Sequence, residues 1–428
     1  MSATSTTDTI RAREAMVDAI VADHTRLGQR SLSWAVEQAL RTVPRHTFLP
    51  GLPSAEAYDH EQAVVTKEEN GLALSSVSAP SIIATMLHRA DLHPGQRVLE
   101  IGSGGYNAAL IRELVGPTGQ VTSIDIDPDV IARAERCLAD AAVESVHLAV
   151  ADGEHGFAVR APFDRIIVTV GAWDLSPAWD AQLAPDGRLV VPMRVRGLTR
   201  CLTLERTAAY GHWRAVAVDP CGFVRMQGAG EHWEPMPLLH EPDGAQVGLR
   251  LEDGPRPDID ALRTALTTDP AESWSGVTVG AEEATDGLDL FLASVADGWA
   301  LLTAQRGAIQ AGLIRPIVLT GTPALVDTDG ASFAYRILRR IPGQEKWEFG
   351  AVGQGPHATR VAQQLTDLIS RWDGDHRGGP GPHIELFPAS TPAADLPPGR
   401  VVTKRHTHTV LNWDRRPYEW PDQTHKER

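Results

Sequence analysis

Between residues 11 and 42, apolar residues recur at helical spacing (Ala15, Met16, Ile20 and Val21, then Leu32, Ala35 and Leu40), and Pro44 ends the run. Residues 50–76 are polar and too long for a simple turn, which predicts a functional or disordered loop. A helix is expected over 80–90, with Pro80 in its first turn and Ile82, Ile83, Met86 and Leu87 on one face. Strands and helices then alternate. Strands are expected over 97–101, 120–125, 146–150, 165–170 and 188–192, and helices over 106–115, 129–142 and 177–183. That rhythm predicts an α/β fold: a Rossmann-like, mostly parallel sheet with helices on both faces. Residues 198–205 and 213–218 read as antiparallel strands that close it.

After about residue 235 the rhythm changes. Strands are expected at 277–279, 289–295, 299–304, 317–319, 333–338 and 346–352. A helix then carries Val361, Leu365, Leu368, Ile369 and Trp372 on one stripe, and a last strand lies near 401–411. The expected division is an N-terminal helical segment and substrate loop (1–75), a cofactor-binding catalytic domain (76–235) and an α+β extension (236–428).

Composition is that of a globular chain, at 42% hydrophobic and 22% charged over 428 residues. The net charge of −15 argues against nucleic acid or an anionic membrane as the main partner. Three cysteines (Cys137, Cys201 and Cys221) make no disulfide framework. Residues 1–9 carry no signal-peptide pattern, so a cytoplasmic location is expected. His406-Thr407-His408 alternates like a strand face and lacks a third ligand at metal spacing, so no metal is expected.

The sharpest chemical signal is Val98-Leu99-Glu100-Ile101-Gly102-Ser103-Gly104-Gly105-Tyr106, an apolar strand running through glycines into a helix. Glycine allows a tight turn against a ligand, and free N–H groups at a helix start favour electronegative atoms. Asp125 ends the next strand, where an acid can bind both ribose hydroxyls. Asp152-Gly153 ends the third, where a carboxylate can meet an adenine amino group. A dinucleotide fingerprint would need glycine where Asn107 stands, and Glu100 would repel a pyrophosphate. The acid–glycine–acid–acid pattern suits S-adenosylmethionine, whose ammonium and sulfonium are cationic.

Further segments carry a family likeness. Val43-Pro44-Arg45-His46-Thr47-Phe48-Leu49-Pro50 resembles the entry segment of protein-L-isoaspartate O-methyltransferases, and Ser76-Val77-Ser78-Ala79-Pro80 resembles their T-x-S-x-P segment. Ala161-Pro162-Phe163-Asp164, Ile166-Ile167-Val168-Thr169 and Gly187-Arg188-Leu189-Val190-Val191-Pro192 follow in the family's order. The chain departs from the family in a glycine loop one residue shorter and in Val64–Gly71, which replaces the family's L-P-I-G loop. Val170-Gly171-Ala172-Trp173-Asp174, Arg196-Gly197-Leu198-Thr199-Arg200 and Cys221-Gly222-Phe223-Val224-Arg225-Met226-Gln227-Gly228 resemble a narrower group, the FxLD-system methyltransferases of lanthipeptide biosynthesis.

The resemblance implies cofactor contacts at Glu100, Gly102, Ser103, Gly104, Gly105, Asp125, Ile126, Asp152, Gly153, Val168 and Thr169. It places Ser78 at the methyl-transfer site; the plainer expectation is that Ser78 caps the helix at Pro80. It implies methylation of an Asp side chain in a ribosomally made, modified peptide, the ester closing to succinimide and opening to isoaspartate. The extension would recognise that precursor peptide. General repair of protein isoaspartate is the alternative, and a non-catalytic module is a third reading, opposed by the intact Glu100, Asp125 and Asp152. Trp173, Trp179 and Trp233 are expected to line a peptide groove or simply to pack. Arg339 and Arg340 read as a solvated strand end or a contact for an acidic leader.

Overall fold

A computed structural model describes residues 6–26, 31–207, 211–252 and 257–414. The chain opens with α1 (Thr6–Arg26), α2 (Trp34–Thr42) and α3 (Ser54–Ala57). The expected long loop is instead a hairpin, β1 (Val64–Glu69) and β2 (Leu72–Val77), turned at Asn70-Gly71 with positive φ at both. Then follow α4 (Pro80–Ala90), β3 (Arg97–Ile101), α5 (Tyr106–Val115), β4 (Gln120–Asp125), α6 (Pro128–Asp140), β5 (Val146–Val150), β6 (Phe163–Val168), α7 (Pro177–Gln182), β7 (Leu183–Val195), β8 (Leu198–Arg206) and β9 (Trp213–Pro220).

Strands β5, β4, β3, β6 and β7 lie side by side and parallel. The central β3 is buried from Val98 to Ile101, including Glu100, as expected for a parallel strand covered on both faces. Chain order reverses between β3 and β6, and in sheets of this kind ligands bind outside the carboxyl ends of the strands at such a switch point. Beyond β7 the sheet turns antiparallel through β8 and β9.

The second half contributes β10 (Leu238–His240), β11 (Val247–Arg250), α8 (Ile259–Ala265), β12 (Ala271–Gly280), α9 (Asp286–Val295), β13 (Trp299–Ala304), α10 (Arg306–Gln310), β14 (Thr322–Val326), β15 (Phe333–Arg340), β16 (Lys346–Gln354) and α11 (Ala358–Asp375). Seven of these strands form a separate antiparallel sheet, β10-β11-β13-β14-β15-β16-β12. Val361, Leu365, Ile369 and Trp372 of α11 bury against Phe291 of α9 and Phe349 of β16, as the stripe required.

Two expected strands are not strands. Residues 289–295 form most of α9, because an apolar run this short fits a buried helix as well as a strand. Residues 317–319 are irregular, with Val318 46% exposed.

The extension also ends elsewhere than its expected boundaries place it. Strands β17 (His383–Pro388), β18 (Arg400–Thr403) and β19 (Thr407–Asn412) return to the first sheet, giving ten strands in the order β18-β19-β17-β9-β8-β7-β6-β3-β4-β5. Glu385 of β17 pairs with His212 (3.2 Å) and Arg214 (3.3 Å) beside β9. The seam between sheets is packed: the Trp413 indole N–H donates to Ser294 Oγ at 2.5 Å, and Trp299 Nε1 donates to the Arg196 carbonyl at 2.7 Å. Among the described residues no helix is long and apolar enough to cross a membrane.

Candidate active site

Gly102 follows β3 at φ +97°, where a side chain is strained, and a Cβ there would lie 2.5 Å from Thr169 Oγ1. Thr169, just past β6, donates its hydroxyl to the Gly102 carbonyl at 2.8 Å and so closes the loop from below. Ser103 N–H donates to Asp125 Oδ2 at 3.0 Å, which sets the acid at the end of β4 beside the glycines. Gly104 lies against the next element, since a Cβ on it would be 3.6 Å from the Ser76 carbonyl. The segment bearing Ser78 therefore flanks the cofactor loop. Helix α4 begins at Ala79 without a side-chain cap, so Ser78 does not serve as that cap.

Glu100 is fully buried. Its oxygens accept Asn107 Nδ2 (2.8 Å) and the Ser123 hydroxyl, and Ser123 also bonds Ser103 Oγ at 2.8 Å. Burial pushes the Glu100 carboxyl up to about 7, against the pull of these two donors. No cation neutralises it among the described residues. Without a counter-charge a buried acid is costly to ionise, so it holds its proton more tightly, and a cationic ligand would favour its ionised form. Burial also raises Asp125 above the usual carboxylate range.

Asp152 follows β5. Its Oδ1 accepts Glu154 N–H (2.9 Å) and its Oδ2 accepts Ala229 N–H (2.8 Å), leaving one lone-pair position on each oxygen. Gly153 is a close-approach position, where a Cβ would lie 2.5 Å from Ile101 Cγ2 and 2.9 Å from Met226 Cε. Gly228, at φ +77°, lies against both Asp152 and Ile126. Thus Gly102, Ser103, Asp125 and Thr169 lie together at the ends of β3, β4 and β6, with Glu100 linked to Ser103 through Ser123, and Asp152 and Ile126 lie together against Gly228. Gly105 turns instead onto Phe48, 3.1 Å from where its Cβ would stand, and the Val168 side chain belongs to the core. The Ser103 hydroxyl points inward to Ser123.

The sequence expectation did not place segment 223–230 here. It crosses the strand ends: Gly171 N–H donates to Val224 O (2.7 Å), Met226 N–H to Gly171 O (3.1 Å) and Gln227 Nε2 to Leu74 O (3.3 Å) on the hairpin. Three glycines within nine residues (Gly222, Gly228, Gly230), in neither a helical nor a strand pattern, were its available signal. The extension reaches the same strand ends. Lys404 Nζ donates to Trp173 O (2.6 Å) and to Arg194 O, and Asp174 accepts His406 N–H (2.6 Å) and Thr407 Oγ1 (2.6 Å). Of the three tryptophans, Trp179 is fully buried, Trp173 stacks on His232 at 3.8 Å, and Trp233 is 57% exposed. Arg339 pairs with Glu348 at 2.5 Å and lies over Trp274, as a solvated strand position.

A family profile described as Protein-L-isoaspartate(D-aspartate) O-methyltransferase (PCMT) matches residues 19–228. Protein-L-isoaspartate O-methyltransferase 2 of Archaeoglobus fulgidus is 40% identical over 164 residues, 38% of this chain and 72% of that protein. Protein-L-isoaspartate O-methyltransferase of Methanopyrus kandleri is 32% identical over 231 residues, 53% of this chain and 95% of that protein. A solved protein-L-isoaspartate O-methyltransferase is 18% identical, covering 87% of this chain and 96% of its own at a TM-score of 0.46. The cradle without Cβ atoms and the unneutralised Glu100 fit the family's cofactor. The chain belongs to the protein-L-isoaspartate(D-aspartate) O-methyltransferase family and is an S-adenosylmethionine-dependent carboxyl O-methyltransferase.

Proposed function

We propose that this enzyme methylates the free carboxylate of an aspartate-derived residue in a peptide, and that its dedicated substrate is a ribosomally made, modified peptide of lanthipeptide type. The resulting ester would close to a succinimide and open to isoaspartate. The observation that carries the carboxyl chemistry is the convergence of Glu100, Asp125 and Asp152 at adjacent strand ends, with the Ser78 segment flanking their loop. S-adenosylmethionine, when bound, supplies an electrophilic methyl group on a sulfonium.

The protein's own residues then hold and orient. Asp125 and Asp152 would hold the ribose and adenine by hydrogen bonds to their carboxylates, and Glu100, when ionised, would favour the cationic end of the cofactor. Ser78 would donate a hydrogen bond that aligns the substrate carboxylate. A carboxyl of ordinary pKa, about 4, is already ionised at neutral pH, so no general base is needed. Alignment alone supplies up to roughly 7–11 kcal/mol in favourable cases.

The dedicated-peptide reading is supported by the extension, which is joined to the segment just past β6 through Lys404 and Asp174. The second reading, general repair of isoaspartate, is favoured by the isoaspartate methyltransferases that align with the catalytic half. Mass spectrometry separates them. Efficient methylation of a linear isoaspartyl peptide supports repair. Indifference to it, with methyl gain and then methanol loss on a constrained Asp-containing peptide, supports the dedicated reading.

A further inference from the structure

Beside the strand ends lies a cation with no acid of its own. The backbone of Arg225 bridges Gly171 just past β6, and two residues on Gln227 reaches the hairpin. The exposed Arg225 guanidinium lies 4.2 Å over the ring of Trp233, and Glu231 fixes that ring by accepting its indole N–H at 2.5 Å. Nearby, Arg194 (2.5 Å) and Arg250 (3.5 Å) converge on one carboxylate, Glu234, which they bury. Arg225 acts on Arg250 as a like charge. Arg194 and Arg250 share Glu234, and among the described residues Arg225 forms no ion pair. In a chain of net charge −15, it is an exposed cation left for an outside acid.

An arginine held over an aromatic face loses rotamer freedom, and its planar guanidinium N–H fork matches a carboxylate. We propose that Arg225, held on Trp233, receives a second carboxylate of the peptide substrate, on a residue or chain terminus flanking the one that is methylated. The proposal rests on the peptide reading above and adds a selectivity: the enzyme prefers a carboxylate at one fixed distance from the methyl acceptor.

The test measures binding without turnover. Two fluorescent peptide series, one linear and isoaspartyl, the other constrained and Asp-containing, carry Glu at each flanking position in turn, with Gln counterparts and with free or amidated C-termini, and the series that binds is the one read. Each is titrated by anisotropy into the full-length protein saturated with S-adenosylhomocysteine. We expect one position where Glu, or one length where a free terminus, binds about ten-fold tighter than its neutral partner. Arg225→Glu removes that ratio, Arg225→Lys keeps part of it, and Trp233→Leu reduces it. Retained S-adenosylhomocysteine affinity shows that each variant is folded. Absence of a carboxylate preference in the wild type, or an Arg225→Glu variant that weakens Glu and Gln peptides equally, overturns the proposal. Methyl transfer to the same peptides is read separately, so failure of the peptide chemistry is distinguishable from failure of Arg225.

Discussion

Lys67 Nζ lies 2.5 Å from Asp127 Oδ2 and ties the hairpin to the first turn of α6. Asp127 also caps Asp129 N–H (2.9 Å), and its own N–H donates to Asp125 Oδ1 at 3.0 Å. One acid thus fixes the hairpin, the helix start and the carboxylate expected to meet ribose. Lys67 holds the Asp127 carboxyl below the usual range. The pair is solvent-exposed on the Lys67 side, so it contributes little to stability. Lys67→Ala is expected to leave the melting temperature nearly unchanged and to raise the peptide KM several-fold. High salt narrows the gap between wild type and variant, since screening weakens the same contact. An unchanged KM at low salt contradicts this role.

Glu100 sets a pH dependence. Its folded-state pKa of about 7 lies above the ordinary 4.5, so the folded protein holds the proton more tightly than the unfolded chain. Stability of the cofactor-free protein therefore falls as pH rises from the ordinary carboxyl range through about 7, by at most about 3 kcal/mol, and then levels. A cationic ligand favours the ionised form, so S-adenosylmethionine affinity rises across that window with release of a proton. Glu100→Gln flattens both profiles. Calorimetry in buffers of different ionisation enthalpy reads the proton directly.

Gly228→Ala forces a side chain into positive φ and onto Asp152 and Ile126. S-adenosylhomocysteine affinity is expected to fall by about ten-fold or more. Gly222→Ala, which meets no atom within 4 Å, is the control and binds as wild type.

Lys404 is buried, and its ammonium satisfies two backbone carbonyls across the seam. Lys404→Ala is expected to cost about 2–4 kcal/mol in chemical denaturation, because both acceptors lose a charged donor. A loss below about 1 kcal/mol contradicts that account.

How much of this was legible follows from the range of each interaction. Strands β3, β4 and β6 show as short, buried segments with β-branched or large apolar residues such as Val98, Leu99, Val121, Ile124, Ile166 and Ile167, and the glycine loop follows from the same lines of sequence. The hairpin is hidden by polar residues such as Lys67 and Glu68, which face solvent or α6 rather than a core. Helix α9 is ambiguous because Leu288, Leu290, Phe291 and Leu292 are buried without a polar face. The return of β17 to β9 depends on contacts such as Arg214 with Glu385, 171 residues apart, which no local pattern encodes. Asp152 is visible as a strand-end acid, whereas its partner Ala229 is 77 residues away.

The central claim is methyl transfer to a carboxylate held beside Ser78. The most direct measurement incubates the wild type and Ser78→Ala with trideuteromethyl S-adenosylmethionine and a peptide acceptor, then follows label by mass and by release as methanol in mild base. The account predicts base-labile label on an aspartate-derived residue, with transfer slowed in Ser78→Ala while cofactor affinity is kept. Base-stable label, or Ser78→Ala turnover equal to that of the wild type, would contradict it.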